Sequence, residues 1–230
     1  SEVNSINRIP FLPVQFFKSH KVTSTEFEPG IVFESSGTGN VNRSKHFVKS
    51  VDLYKKSFTN TFELFYGNET EWCILGLLPA YFEAKNSSLI MMTDELIKRS
   101  GHRFSGFFLN DPEKLHHTLL HNEILQQPTL LIGVTYALLD FAEKYKMQLS
   151  HTIIIETGGM KGRREEMIRE QVHKILQSNL GLKTVHSEYG MTELLSQAYS
   201  RGNGLFKCAP WMKILVREED DAMQVIAAPQ

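Results

Sequence analysis

Apolar runs alternate with segments of helical spacing through the middle of this 230-residue chain, and this alternation constrains its fold more than any other feature. The runs at 72–78, 129–133, 151–157 and 183–188 predict strands, and the patterns of roughly 10–17 residues between them predict helices. Because most of these runs are nearly continuous in apolar residues, we expect the strands to be covered on both faces. The sequence therefore predicts an α/β fold with mixed, largely parallel sheets covered by helices.

Capping residues mark where several helices begin and end. Ser50 is the predicted N-cap of a helix that ends at Gly67. Ser87 or Ser88 is expected to cap a helix that runs through Arg99, and Asp111 with Pro112 begins the next one. The remaining predicted elements are strands at 31–33 and 103–109, helices ending at residue 146 and covering 163–179, and two short strands around a charged turn within 213–230.

Composition narrows the classes of partner and compartment. The 25 Lys and Arg residues nearly balance the 26 Asp and Glu residues, so no overall field favours nucleic acid. Cys73 and Cys208 are too few and too far apart for a disulfide framework, which fits a reducing cytoplasm. The longest apolar stretch, 130–142, contains Asp140 and is shorter than the ~20 residues of a membrane span. We therefore expect a cytoplasmic protein without a membrane span.

Three polar, glycine-bearing segments follow predicted strands. They are "ESSGTGN" at 34–40, "ETGGMKG" at 156–162 and "EYGMTE" at 188–193. In sheets with parallel strands, ligands bind at loops that leave the carboxyl ends of the strands. These three segments are therefore the candidate ligand-binding loops.

The first two segments each allow a functional and a structural interpretation. Hydroxyls, bare N–H groups and glycines in 35–40, followed by Arg43 and Lys45, could cradle phosphate, but the same residues are common in ordinary turns. Gly158 and Gly159 could expose a flat peptide surface to a planar base, or form a tight turn before a helix. Each loop on its own leaves both interpretations open.

The third segment combines an aromatic ring with polar groups. Tyr189 offers a stacking surface, Gly190 allows a bend, Thr192 supplies a hydroxyl and Glu193 supplies an oxygen ligand suited to Mg²⁺. Alternatively, Thr192 and Glu193 lie in the first turn of a helix, where such residues also favour the helix dipole. Spacing alone does not separate these two interpretations.

Taken together, the three segments resemble the adenylate-forming superfamily. "ESSGTGN…RSK" is similar to its Ser/Thr/Gly-rich phosphate loop, "ETGGMKG" to its adenine-side glycine pair, and "YGMTE" to its most specific motif. Their order and spacing are those of the large N-terminal domain. Stretches such as "LLPAYFEAKNSSLIMM" and "SEYGMTELLSQAY" are most similar to the acyl-protein synthetases of fatty-acid reductase systems.

The resemblance implies specific roles for individual residues. Thr192 would bond the α-phosphate, Glu193 would ligate Mg²⁺, and Lys45 would stand at the family's lysine position, although it lies further from the glycines than usual. The β- and γ-phosphates would be held by Ser35, Ser36, Gly37, Thr38 and Gly39. Adenine would be bound by Gly158, Gly159, Met160, Tyr189, Gly190 and Met191. The acyl pocket would include Tyr81, Gly133 and Val134.

The reaction implied by the resemblance uses ATP and Mg²⁺. A carboxylic acid, expected to be a fatty acid, attacks the α-phosphorus, pyrophosphate leaves, and the acyl group of acyl-AMP passes to a protein cysteine or to coenzyme A. Neither a protein nucleophile nor a general base is needed, since a carboxylate is already ionised near neutral pH. The open alternatives are a non-catalytic nucleotide-binding or interaction module of the same fold and, third, a phosphotransferase that releases ADP.

The resemblance also predicts segments that 1–230 does not contain. Members of the superfamily continue with a TGD-type segment and a small C-terminal domain that carries a lysine, and neither is present in this chain. We therefore expect 1–230 to be an incomplete N-terminal domain, with part of the ATP contacts and without full turnover.

Overall fold

The computed structural model describes residues 9, 11–36, 43–79, 85–160, 162, 164–221 and 224–226. The strands are β1 (Ile31–Glu34), β2 (Lys45–Val48), β3 (Cys73–Leu77), β4 (Gly106–Phe107), β5 (Thr129–Val134), β6 (Thr152–Thr157), β7 (His186–Tyr189), β8 (Ala198–Ser200), β9 (Phe206–Cys208), β10 (Val216–Arg217) and β11 (Val225–Ile226). The α-helices are α1 (Phe16–Ser19), α2 (Val51–Tyr66), α3 (Ser88–Ser100), α4 (Pro112–Ile124), α5 (Thr135–Lys144) and α6 (Arg169–Leu180).

A seven-stranded sheet forms the centre of the molecule, with the strand order β4-β3-β5-β6-β7-β8-β9. The first five strands of this order are parallel, whereas β8 and β9 continue the sheet in antiparallel fashion. Two separate antiparallel pairs, β1 with β2 and β10 with β11, stand outside it. The predicted α/β fold with a mixed, largely parallel sheet is confirmed.

Helices cover both faces of the sheet. The chain steps from β3 to β4 in one direction and then from β4 to β5 in the other. Because crossover connections between parallel strands are right-handed, α3 lies on one face and α4, α5 and α6 lie on the other. The fully buried side chains of Leu75, Leu131 and Ile154 lie on three adjacent strands. This double cover explains why the central strands β3 and β5 are largely apolar.

Local capping fixes the helix ends where the sequence predicts them. The side chains of Ser50, Ser87 and Asp111 accept hydrogen bonds from backbone N–H groups in the first turns of α2, α3 and α4. Gly67 follows α2 with a φ of 77°, a conformation that an L side chain rarely adopts. These predicted boundaries are confirmed because they depend only on residues close in sequence.

Two predicted boundaries are wrong. Helix α6 begins at Arg169, not at 163, because Arg164 lies before the helix and pairs with Asp140 and Glu143 of α5. The predicted strand 103–109 is reduced to Gly106–Phe107 at the sheet edge. Within the described ranges, no helix is both long and apolar enough to cross a membrane.

Candidate functional site

A cavity of about 150 Å³ opens where β6 and β7 end. Its walls come from the end of β1, the first turn of α2, the start of α3 and the loops after β6 and β7. The lining residues are Glu34, Ser36, Tyr54, Ser87, Ser88, Leu89, Thr157, Gly158, Glu188, Gly190, Met191, Thr192 and Gln197. The cavity therefore lies at the carboxyl edge of the parallel strands, where ligands bind in folds of this type.

Residues from all three candidate loops meet in this cavity. Ser36 comes from the first loop, Gly158 from the second, and Gly190, Met191 and Thr192 from the third. Gly37, Thr38, Gly39 and Tyr81 lie outside the described residues. The structure thus brings together segments that are more than a hundred residues apart in sequence.

The first loop is closed at its base by a pair of backbone contacts. The Ser44 N–H donates to the Ser35 hydroxyl oxygen at 3.0 Å, and the Ser35 N–H donates to the Ser44 carbonyl at 3.1 Å. Ser35 therefore closes the turn between β1 and β2, while Ser36 lines the cavity. Lys45 is exposed and lies opposite Glu34 in the register of the two strands, at the edge of the cavity and outside its lining.

The second loop leaves an open peptide surface. Gly158 has a φ of 76°, and a Cβ added to Gly159 would meet no atom of the described residues within 4 Å. This open surface has the shape that a planar ring could lie against. The side chain of Met160 is instead buried in the hydrophobic core, so only its backbone is available to such a ring.

The third loop is an irregular turn and not a helix. The Leu194 N–H donates to the Met191 carbonyl at 3.1 Å, and Nδ1 of His46 lies 3.0 Å from the Thr192 carbonyl oxygen. Since a carbonyl can only accept, His46 must carry a proton on Nδ1 in this contact. The helix-start alternative for Thr192 and Glu193 is therefore wrong, because the turn is held by β2 and by its own backbone.

The remaining residues predicted in the third loop differ in their position. Tyr189 is 42% exposed and its hydroxyl donates to the Met191 sulfur at 3.1 Å, so part of its ring surface is accessible. Glu193 is half-buried beside Thr192 but lies outside the lining of the cavity. Within the part of the chain described, no three His, Cys, Asp or Glu side chains are grouped to hold a metal ion.

Glu188 is a buried carboxyl in the cavity that sequence analysis did not single out. It is 8% exposed and accepts a hydrogen bond of 2.5 Å from the Thr157 hydroxyl. Burial raises the pKa of Glu188 to about 7, with a further contribution from the charge of Glu156. A Cβ on Gly190 would lie 2.5 Å from Glu188 Oε1, which explains the glycine at that position.

Glu156 lies on the neighbouring strand, and its pKa is lowered where that of Glu188 is raised. Burial alone would raise its pKa, but hydrogen bonds led by that from His173 and the charge of Arg169 outweigh burial and lower it. The Arg169 guanidinium donates to Glu156 at 2.9 Å, and the Thr135 hydroxyl donates to it at 3.0 Å. The pKa values of two carboxyls at the carboxyl ends of β6 and β7 are therefore shifted in opposite directions.

Tyr54 and Gln197 connect three elements of the cavity wall, and sequence analysis missed this role for both. The Tyr54 hydroxyl donates to the Ser88 carbonyl at 3.1 Å and accepts from Gln197 Nε2 at 3.1 Å. The sequence shows Tyr54 only as one of the apolar positions of α2. These contacts join residues that are 34 and 143 positions apart, so no local pattern could reveal them.

Gly133 and Val134, the described residues of the predicted acyl pocket, are packed in the core. A Cβ on Gly133 would lie 2.7 Å from the Leu138 side chain, and Val134 is 1% exposed. Neither residue lines the polar cavity. A second, more apolar cavity of about 390 Å³ lies next to the third loop, between α2 and residues 195–196, and includes Leu53, Leu195 and Trp211.

No family model matches this sequence, and no curated protein matches it. Solved structures that resemble it include coronafacic acid ligase from Pectobacterium brasiliense, with a TM-score of 0.45 and 17% identity over 65% of this chain and 28% of that chain. A point-mutant form of that ligase has a TM-score of 0.44 and 16% identity over 65% of this chain and 29% of that chain. The chain thus spans less than a third of their length, and its function has to be inferred from the cavity itself.

Proposed function

We propose that this protein activates a carboxylic acid with ATP, forming acyl-AMP and pyrophosphate, and then transfers the acyl group to a thiol. The observation that supports this proposal is that Ser36, Gly158 and Thr192, one residue from each candidate loop, line a single cavity. Because the three loops are similar to three motifs of the adenylate-forming superfamily, we interpret the cavity that they share as part of an ATP site.

The phosphate groups of ATP would lie at the end of the cavity formed by α3. Ser88 and Leu89 occupy the first two positions of this helix and line the cavity, and the N–H groups of a first turn have no partner within the helix. Together with the helix dipole, these groups favour a bound anion. The hydroxyls of Ser36 and Thr192 would add two side-chain donors.

The base and ribose would extend from the cavity over the neighbouring loops. Sites for whole small molecules typically measure 300–1,000 Å³, so a cavity of about 150 Å³ would hold only part of ATP. The open surface at Gly159 and the exposed ring of Tyr189 would contact the adenine. In this arrangement the residues proposed to contact adenine would lie next to those proposed to bind the phosphates.

The chemical step then requires positioning and neutralisation of charge. The acid attacks as a carboxylate, so no side chain has to remove a proton. Ser36, Thr192 and the first turn of α3 would orient the phosphates and stabilise the charge that grows on them. Glu34, which lines the cavity, and Glu193, which lies outside its lining, would be the oxygen ligands for Mg²⁺, and the ion would neutralise phosphate charge.

The fatty chain and the acceptor thiol are the finer parts of the proposal. A fatty chain would lie in the apolar cavity that Leu53, Leu195 and Trp211 line, since Leu195 is the second residue after the third loop. Cys73 is fully buried and burial raises the pKa of its thiol, which makes it an unsuitable acceptor. The acyl group would therefore pass to coenzyme A or to another protein cysteine.

Product analysis tests this proposal. Purified protein at high concentration is incubated with ATP, Mg²⁺ and a panel of acids that includes fatty acids, and hydroxylamine traps any activated acyl group. We expect AMP, pyrophosphate and acyl hydroxamate in equal amounts, with the same yield from Ser178→Ala, an exposed control on α6. Release of ADP would indicate a phosphotransferase, and ATP binding without any AMP would indicate a non-catalytic module.

A further inference from the structure

Gln197 carries a buried acceptor that the protein leaves unused. Its side chain lines the cavity and is only 3% exposed. Among the described residues, no donor lies within hydrogen-bonding distance of its Oε1 atom. Since buried polar atoms are almost always paired, an unpaired acceptor on a side chain that lines a cavity is a candidate partner for a ligand group.

The orientation of the Gln197 amide follows from its neighbours. The Tyr54 hydroxyl has one hydrogen, and it donates this hydrogen to the Ser88 carbonyl. Toward Gln197 the same hydroxyl can therefore only accept, so Nε2 must face Tyr54 and Oε1 must face away. Exchanging the two amide atoms would place an acceptor against an acceptor, which leaves Oε1 as the free atom.

A second acceptor lies beside the first. Both side chains lie close to Gly190. A Cβ added to this glycine would be 3.8 Å from Gln197 Cγ and 2.5 Å from Glu188 Oε1. Both side chains line the same cavity, and each carries an acceptor oxygen. The start of α3, at Ser88, instead offers N–H groups. The cavity thus has one wall that suits an anion and one wall that suits a hydrogen-bond donor.

We propose that Gln197 Oε1 accepts a hydrogen bond from a hydroxyl or ammonium group of the bound ligand, with the Glu188 carboxyl as a neighbouring acceptor. This inference rests on the proposed function and names a selective element of the same site. The donor has two sources, a ribose hydroxyl of the nucleotide or a hydroxyl or amine on the carboxylic acid. Tyr54 is the positioning residue that holds the amide in the accepting orientation.

A double comparison of protein and ligand tests the inference. Gln197→Met keeps the side-chain length but removes the acceptor. Calorimetry compares wild type and variant with ATP, 2′-deoxy-ATP and 3′-deoxy-ATP, and exchange kinetics compare octanoate with hydroxy- and amino-octanoates. We expect Gln197→Met to weaken one donor-bearing ligand by roughly 5- to 100-fold while leaving its donor-lacking counterpart unchanged. If the effect is seen between ATP and a deoxy-ATP, the donor belongs to the nucleotide. If it is seen between a substituted octanoate and octanoate, the donor belongs to the acid.

Tyr54→Phe provides the second variant, because it keeps the ring and removes only the hydroxyl that orients the amide. We expect it to reduce the same discrimination between donor-bearing and donor-lacking ligands. The inference is overturned if Gln197→Met binds every ligand as wild type does, or weakens both members of each pair equally. If wild type binds no ATP at all, the proposed function fails, and the inference fails with it.

Discussion

Replacing Glu188 with glutamine tests how the cavity wall is built. The carboxyl is buried at the end of β7 and accepts a hydrogen bond from the Thr157 hydroxyl. A glutamine has nearly the same shape, and its amide oxygen can accept the same bond. The substitution therefore removes the ability to ionise while leaving the packing around Gly190 in place.

The sign and size of the effect follow from the pKa. Burial raises the pKa of Glu188 from 4.5 to about 7, so the folded protein holds this proton more tightly than the unfolded chain does. The contribution of Glu188 to the stability of the wild type is therefore fully present below pH 4.5 and is lost as the pH rises through 7. Because each tenfold change in acid dissociation corresponds to about 1.4 kcal/mol, the loss reaches about 3 kcal/mol above neutral pH.

Urea unfolding of wild type and Glu188→Gln at pH 5 and pH 8 measures this difference. We expect the stability advantage of the variant to grow by about 2–3 kcal/mol between the two pH values. Glu218→Gln, at an exposed site beside β10, serves as the control and should show no such change. A difference between Glu188→Gln and wild type that stays constant with pH would refute the assignment of a protonated, buried carboxyl.

Three further predictions concern the loops around the cavity. Gly190→Ala places a Cβ 2.5 Å from a buried carboxyl oxygen, so we expect urea unfolding to show a loss of about 1–3 kcal/mol and calorimetry to show weaker ATP binding; unchanged values in both would contradict this geometry. Gly158→Ala strains a φ of 76° and should cost about 1–2 kcal/mol in thermal unfolding, whereas its neighbour Gly159→Ala, with open space at Cβ, should change stability by less than about 0.5 kcal/mol. His46→Ala removes the bond to the Thr192 carbonyl and should weaken ATP binding by about 0.5–1.5 kcal/mol, and equal affinity in calorimetry would show that this bond does not hold the loop.

The sheet and most helix ends could be predicted from the sequence because their causes are local. The buried strand β6 is a run of apolar residues, and Ser50 caps α2 through a contact with the N–H two residues away. By contrast, Arg164 lies before α6 and pairs with Asp140, which is 24 residues earlier in the chain. A residue pattern near 163 contains no information about that ion pair.

The candidate site could be predicted only as a set of loops. Gly158, Gly190 and Thr192 stand out in the sequence because glycines and hydroxyls at strand ends are recognisable. Glu188 is read as an ordinary strand residue, and Gln197 follows the motif without any pattern of its own. Their importance comes from burial and from partners on other strands and helices, which a sequence does not display.

Exchange of labelled pyrophosphate into ATP measures the central claim most directly, because it requires reversible formation of acyl-AMP. We expect exchange that depends on an added carboxylic acid, that falls roughly 100-fold in Thr192→Ala, and that is largely retained in Thr192→Ser. The serine variant is the matched control, since it keeps the hydroxyl that lines the cavity. Acid-independent exchange, no exchange with any acid by the full-length protein, or equal rates for wild type and Thr192→Ala would contradict the proposed adenylation.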